Sequence, residues 1–227
     1  MAKIKSKSRA LIKEKYRVLS VTFTIAMFSL FLVCFYMFVF DKIGILGKIS
    51  GLVLIVFAFY NVYRLYQKYV IVKAGVDGEK EVRKILKQLK NINVYSNVPI
   101  EYNHNKSEID YLCVSDKGLF IIEVKNYSGD IKGKYDDTKW KQYKTKEVKE
   151  VKNPVKQLNH QMQILNAILK ECNVNTYIEG CVYFNKAKSI ECKDNRIVTN
   201  SKVLLNRIQN QKQSLSKAEI KKIMKAL

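Results

Sequence analysis

The 227-residue chain carries 41 Lys and Arg against 20 Asp and Glu, a formal net charge of +21, with 48% apolar residues. That length admits one or two domains. Five cysteines without a Cys-x-x-Cys pair argue against a disulfide framework, and two histidines argue against a His/Cys zinc site, so any metal must rest on oxygen ligands.

Residues 1–17 are basic, with Lys3, Lys5, Lys7, Arg9, Lys13, Lys15 and Arg17 against the single acid Glu14. Val18 to Phe40 then runs for 23 residues without a charged side chain, about the length that crosses a hydrocarbon layer as a helix, and predicts a transmembrane helix over 18–40. A second apolar run predicts a transmembrane helix over 43–63; its one charge, Lys48, lies near its start, where the long stem can return the ammonium to the interface. Asp41-Lys42 leaves room only for a tight turn, so the spans form a hairpin. With Arg64, Lys68 and Lys73 following the second span, the positive-inside bias places both termini, and everything after residue 70, on the cytoplasmic side of the plasma membrane as a multi-pass protein. A cleaved signal peptide competes poorly, because the first run is too long and no small-residue cleavage site follows it.

Beyond the spans, Gly75 to Lys90 predicts an amphipathic helix with Val82, Ile85, Leu86 and Leu89 on its stripe and Glu79 at the head of it. Asn93 to Val98 predicts a strand, and Pro99 to Ser107 a polar loop. Two apolar strands follow. With Ser115 to Gly118 as the hairpin loop, Val114 pairs with Leu119, and counting outward sets Asp110 opposite Glu123 on one face, which Lys125, two residues on, shares. Both faces of Leu112 to Ile122 are otherwise apolar, which predicts a central strand pair covered on each side in an α/β layered domain. Gly129 to Val151, rich in Lys, Asp, Thr and Tyr around Trp140, predicts an exposed hairpin or edge strands. Asn153-Pro154 opens a helix to about Glu171; Tyr177 to Phe184 and Arg196 to Thr199 predict strands; Ser216 to Glu219 is a capping-box pattern ahead of a short amphipathic helix.

Two carboxylates a strand spacing apart repel, and burying either unpaired costs several kcal/mol. A divalent cation resolves that conflict; Mg²⁺ takes one or two carboxylates and keeps several waters, and can polarise a phosphoryl oxygen. Lys125 beside it would orient or help deprotonate an attacking water, or stabilise charge on the phosphate, which suits phosphodiester hydrolysis. The Glu-Val-Lys triplet carries little by itself, since it recurs at 147–149 and 150–152, where it is a solvated charge run. Only Glu123 ends an apolar strand with an Asp across a hairpin. The plainer alternative for Asp110, Glu123 and Lys125 is a structural salt-bridge cluster at a strand end.

Gly75-x-x-Gly78-Glu79, Ile109-Asp110, Gly118-Leu-Phe-Ile-Ile-Glu123-Val-Lys125-Asn126, Gly129 and Asn153-Pro154-x-x-Gln157, in this order and spacing, resemble the nuclease-related domain (NERD) of the restriction-endonuclease-like PD-(D/E)xK fold. The resemblance covers residues 75–185, leaving 186–227 as a C-terminal extension with short helices. It implies an α/β fold with a mixed β-sheet flanked by helices. It also implies metal-ligand roles for Asp110 and Glu123, the catalytic lysine role for Lys125, and places near the metal or phosphate for Glu79 and Gln157. Ile109 stands where the wider fold family has Pro.

The function this predicts is a membrane-anchored nuclease dependent on Mg²⁺ or Mn²⁺, acting on DNA or RNA at the cytoplasmic face. Residues 74–227 hold 29 Lys and Arg against 18 Asp and Glu, a surplus available for phosphate contacts, and Trp140, Tyr135 and Tyr143 among lysines are candidates to stack bases. The alternatives are a catalytically silent, membrane-tethered module binding nucleic acid or protein, and a lipid-binding membrane adaptor.

Overall fold

The structure is a computed structural model that describes residues 4–6, 9–39, 44–145, 147–212 and 215–226. The chain divides into two compact units, one of residues 10–76 and the other of residues 1–9 with 77–227.

The first unit consists of helix α1 (Arg9–Val39) and most of helix α2 (Ile45–Leu86). Each holds a stretch long and apolar enough to cross a membrane, Arg17–Tyr36 and Gly47–Leu86. Large apolar side chains such as Phe28, Phe31, Val56 and Phe57 are exposed along them. Their few polar groups turn back on the helix itself: the hydroxyls of Ser20, Thr24 and Ser29 donate to the carbonyls of Arg17, Ser20 and Ile25, and Asn61 Nδ2 to that of Phe57. Such back-bonding satisfies hydroxyl and amide groups where no water is available. The Asp41-Lys42 turn lies outside the described residues.

The separate helix predicted over Gly75 to Lys90 is instead the last part of α2. Gly75 and Gly78 each weaken a helix by about 1 kcal/mol relative to Ala but remove no amide, so the ladder runs through them. It ends on tighter bonds from Gln88 and Leu89 to the carbonyls of Ile85 and Leu86, ahead of Asn91 in the left-handed region (φ 58).

The second unit is built on a six-stranded mixed sheet of order β1-β2-β3-β4-β8-β10. The strands are β1 (Ile4–Ser6), β2 (Asn93–Tyr102), β3 (Asn105–Ser115), β4 (Gly118–Lys125), β8 (Ile178–Phe184) and β10 (Ile197–Val198). The predicted loop at Pro99 to Ser107 is largely strand: β2 runs on through Pro99, which pairs with Glu108, and only Asn103 and His104, both at positive φ, make the turn. The β3–β4 turn is likewise tighter than four residues, with Ser115 paired to Gly118 around Asp116 and Lys117; the Val114↔Leu119 register is as predicted.

A second sheet, of order β7-β6-β5-β9, replaces the exposed hairpin predicted for residues 129–151 and the single sheet of the expected fold. Its strands are β5 (Gly129–Lys132), β6 (Lys139–Lys144), β7 (Glu147–Lys152) and β9 (Ala187–Glu191). The parallel pair β4/β8 continues as the parallel pair β5/β9, so the chain passes from one sheet to the other in step. Gly129 (φ 83) makes that corner, where a Cβ would lie 2.1 Å from the Tyr143 carbonyl oxygen.

Two cores cover the six-stranded sheet. On one face the end of α2 (Val82, Leu86) and helix α4 (Ser201–Gln209; Leu204, Ile208) pack on Tyr111, Cys113, Phe120 and Ile122. On the other, helix α3 (Pro154–Glu171; Leu158, Leu165) and helix α5 (Lys217–Ala226; Ile223) join Leu112, Val114, Leu119, Ile121 and the inner residues of the second sheet, Ile131 and Trp140. The predicted starts of α3 and α5 are as read. Asn153 Oδ1 accepts from the Val155 and Lys156 amides with Pro154 in the first turn, and Ser216 and Glu219 exchange the capping-box bonds.

Candidate active site

The site forms where the β3–β4 ladder stops. Backbone pairing ends at Tyr111↔Ile122, one step before Asp110 would face Glu123. There the Asp110 side chain takes over from the ladder, its Oδ2 accepting the Val124 N–H at 2.7 Å. On β2, Asn97 (φ 52) stands between the Ser96↔Tyr111 and Val98↔Ile109 pairs, level with Asp110. Beyond it the alternation changes face, and Val98 and Ile109 join the core that holds Leu112 and Val114. The Asp110 carboxylate thus sits at a break in the sheet.

Glu123 is 1% exposed and its neighbour Lys125 15%. Lys125 Nζ donates to Glu123 Oε1 at 2.6 Å and to Gln157 Oε1 at 2.9 Å. One turn further along α3, the fully buried Gln161 donates from Nε2 to Glu123 Oε2 at 2.6 Å and to the Glu108 carbonyl at 2.8 Å. Gln161 Oε1 is buried with no hydrogen-bond partner, an acceptor left beside the carboxylates.

Burial, with repulsion from Glu123, holds Asp110 well above the usual carboxylate range; the Val124 amide and Lys125 pull the other way, and Glu79 adds to the rise. Burial is also the largest influence on Lys125 and would lower it, but Glu123, Tyr127 and Asp110 together leave it raised. Glu79, half-buried, is raised by burial, eased by a hydrogen bond with Asn97 and raised further by Glu108. It reaches the site because Gly78 precedes it: a Cβ there would lie 2.8 Å from Asn126 Cβ, so glycine lets α2 approach the end of β4. The Tyr111 hydroxyl fastens that turn, donating to the Glu79 carbonyl at 2.7 Å.

Among the sequence-predicted residues, Glu123, Lys125 and Gln157 are joined by hydrogen bonds through the Lys125 ammonium, and Asp110, held by the Val124 amide, is close enough to Glu123, Lys125 and Glu79 to feel their charges. Sequence reasoning missed Gln161, Asn97 and Tyr127. Gln161 carried a signal, since it lies four residues after Gln157 and shares its helix face. Tyr127, raised by burial and coupled to Lys125 and Glu123, carried none. One expectation is overturned. Trp140 is fully buried, donating from Nε1 to the Lys134 carbonyl at 2.9 Å and packed so closely on Gly133 that a Cβ there would lie 2.1 Å from its ring. It is a core residue of the second sheet and cannot stack bases. The 147–152 triplets are the exposed strand β7, its charges paired on the surface as Lys149 with Glu147 and Lys139 with Glu150.

Among the described residues no group of three or more His, Cys, Asp or Glu side chains is gathered to hold a metal. Two opposed carboxylates and an orphaned amide oxygen do fit an ion that prefers few protein ligands and several waters.

Two sheets flanked by helices are consistent with a nuclease-like domain. Residues 74–185 match the family model for the nuclease-related domain, and over this stretch the chain belongs to that family. An uncharacterized protein of Bacillus anthracis is 28% identical over 160 residues, spanning 60% of this chain and 75% of that protein. No solved structure matches the chain significantly.

Proposed function

We propose that the nuclease-related domain hydrolyses phosphodiester bonds in DNA or RNA, with Mg²⁺ or Mn²⁺ held by Asp110 and Glu123 of a PD-(D/E)xK-type site. The observation that carries this is a carboxylate 1% exposed at a strand end, with a second carboxylate close enough to feel its charge and a lysine two residues on. The ion would supply Lewis-acid polarisation of the phosphoryl oxygen and activation of the attacking water. Lys125 presents an ammonium, held in place by Gln157, to the charge that develops on the phosphate. Gln161 fixes the Glu123 carboxylate on the opposite oxygen from Lys125, and the Val124 amide fixes Asp110. Glu79 adds negative charge near Asp110, which strengthens the pull on a cation.

A second reading has its own support: Lys125 and Gln161 already satisfy both Glu123 oxygens, with Gln157 holding Lys125, as a silent binding module would require. Cleavage assays with the full-length protein in detergent, with and without Mg²⁺ or Mn²⁺, separate the two. Single-stranded DNA, duplex DNA and RNA should include a substrate that is cut by the native protein and not by Asp110→Ala or Lys125→Ala. No cleavage of any substrate by the native protein selects the silent module.

The domain is anchored at the cytoplasmic face of the plasma membrane by α1 and α2. The basic flanks support this orientation, and β1 supports an even number of crossings. β1 precedes α1 yet pairs in parallel with β2, so the chain leaves the domain and returns to it on the same side. Membrane-impermeant maleimide should label neither Lys3→Cys nor Lys188→Cys in intact cells, and labelling of either refutes the topology.

A further inference from the structure

A cavity of about 610 Å³ opens beside the acidic centre, lined by Ser107, Thr138, Lys139, Lys152, Lys156 and Gln157, with the Asn153 cap at its edge. Its chemistry is opposite to that of the centre. Lys139 and Lys152 are direct partners across the β6–β7 ladder, a like-charge pair that destabilises an antiparallel sheet. Glu150 offsets Lys139 at 2.7 Å. Among the described residues neither Lys152 nor Lys156 makes an ion pair; Lys156 Nζ donates only to the Asp136 carbonyl, at 2.5 Å. Both side chains are exposed. The first amides of α3 are already taken by Asn153, so the ammonium groups, with the Thr138 hydroxyl beside them, are what the cavity offers to an anion.

Gln157 is the shared wall. It lines the cavity, and its Oε1 accepts from Lys125, which in turn grips Glu123. An anion in the cavity is therefore one side chain away from the carboxylates. Its size is that of a ligand pocket rather than a single-ion site.

We infer that this cavity is a subsite for the sugar–phosphate backbone of a nucleic-acid strand, in which Lys152 and Lys156 hold the phosphates flanking the one presented to Asp110, Glu123 and Lys125. The inference deepens the nuclease reading and rests on its choice of ligand. Lys152, set across from Lys139, and Lys156, whose partner is a neutral carbonyl, keep positive charge that a repeating anion can match, and a strand crossing the cavity passes Gln157 on its way to the acids. No base-reading group is needed, so the subsite takes strands irrespective of sequence.

The test is binding of a fluorescein-labelled single-stranded oligodeoxynucleotide to the full-length protein in neutral detergent with EDTA, followed by anisotropy against salt. Two phosphate contacts contribute about 0.7 each to the log–log salt slope, so Lys152→Gln/Lys156→Gln should lower it by about 1.4. From about 50 to about 200 mM salt the native protein should thus lose about sevenfold more affinity than the double variant. Lys217→Gln/Lys221→Gln on α5 should keep the native slope. Lysine acetylation provides a readout that needs no variant: the oligonucleotide should protect Lys152 and Lys156 but not Lys217 or Lys221. Equal slopes and no protection overturn the subsite even if the native protein cleaves nucleic acid. A lowered slope with protection upholds it even if no substrate is cut. Protection by phosphatidylserine micelles and not by the oligonucleotide overturns it in favour of a lipid headgroup.

Discussion

Removing the ammonium of Lys125 while keeping its bulk is the sharpest test of the centre. Glu123 is 1% exposed and Lys125 15%, so the 2.6 Å ion pair is little screened by solvent. Lys125→Met leaves Glu123 as a buried charge with one remaining donor, Gln161. Breaking a buried pair from one side costs about 3–5 kcal/mol, and the surviving Gln161 bond places this case near about 3 kcal/mol. For a domain of this size that corresponds to a fall of about 6–12 °C in Tm. Adding Glu123→Gln removes the stranded charge, and the double variant should return to within about 1 kcal/mol of the native protein, about 2 kcal/mol more stable than Lys125→Met alone. The assay is thermal unfolding of the full-length protein in detergent with EDTA, read by the fluorescence of the single tryptophan, Trp140, which lies in the core of the domain. A single variant within about 0.5 kcal/mol of native, or a double variant no better than the single, would refute the view that Glu123 is an ionised group held by Lys125.

Asp110 makes a prediction in pH and metal. Its folded-state value is raised, so ionisation costs stability; the cost starts as pH rises through the ordinary Asp range and is complete above the raised value. In EDTA, Asp110→Asn, which keeps an acceptor for the Val124 amide, should therefore be more stable than native protein at neutral pH and equal to it in acid. Excess Mg²⁺ should reverse that order, since at about 100 times Kd an ion adds about 2.7 kcal/mol to the native form alone; melting curves across pH with and without Mg²⁺ check both. Gly75 and Gly78, near the end of α2, should respond oppositely to Ala. Gly78→Ala drives a Cβ to 2.8 Å from Asn126 Cβ and should cost about 1–3 kcal/mol, whereas Gly75→Ala meets nothing within 4 Å and should gain about 0.5–1 kcal/mol in denaturation measurements. Trp140 fluorescence should be blue-shifted, resist acrylamide quenching and stay unchanged on oligonucleotide binding, because its ring is fully buried; quenching by the oligonucleotide would restore it as a stacking residue.

What the sequence determined by itself about this protein is what neighbouring residues decide among themselves. The length of an uncharged run set the candidate spans, and alternation across a short turn set the register that brings Asp110 level with Glu123. Asn153-Pro154 and Ser216 with Glu219 set the helix starts, because a cap is a contact within one turn. Glu79, Lys125 and Gln157 were legible as a spaced set, without the bonds that join them.

Only the tertiary structure decided where polar-looking segments go and which side chains hold the acids in place. Residues 139–142 alternate lysine with Trp140 and Gln142, a pattern that suits an exposed edge; Trp140 instead joins the core shared with α3, and Gln142 is buried with its amide on the Ser128 carbonyl. Gly75 and Gly78 look like a helix start, yet the ladder of α2 runs through both, and the value of Gly78 lies in Asn126, 48 residues on. β1 was invisible as a strand, since three residues carry no period and gain their pairing only from the edge of β2. Gln161 lies 38 residues from the carboxylate it fixes. A side chain's burial, and the partner that completes its hydrogen bonds, depend on elements that meet only when the chain folds, so composition and local spacing cannot assign them.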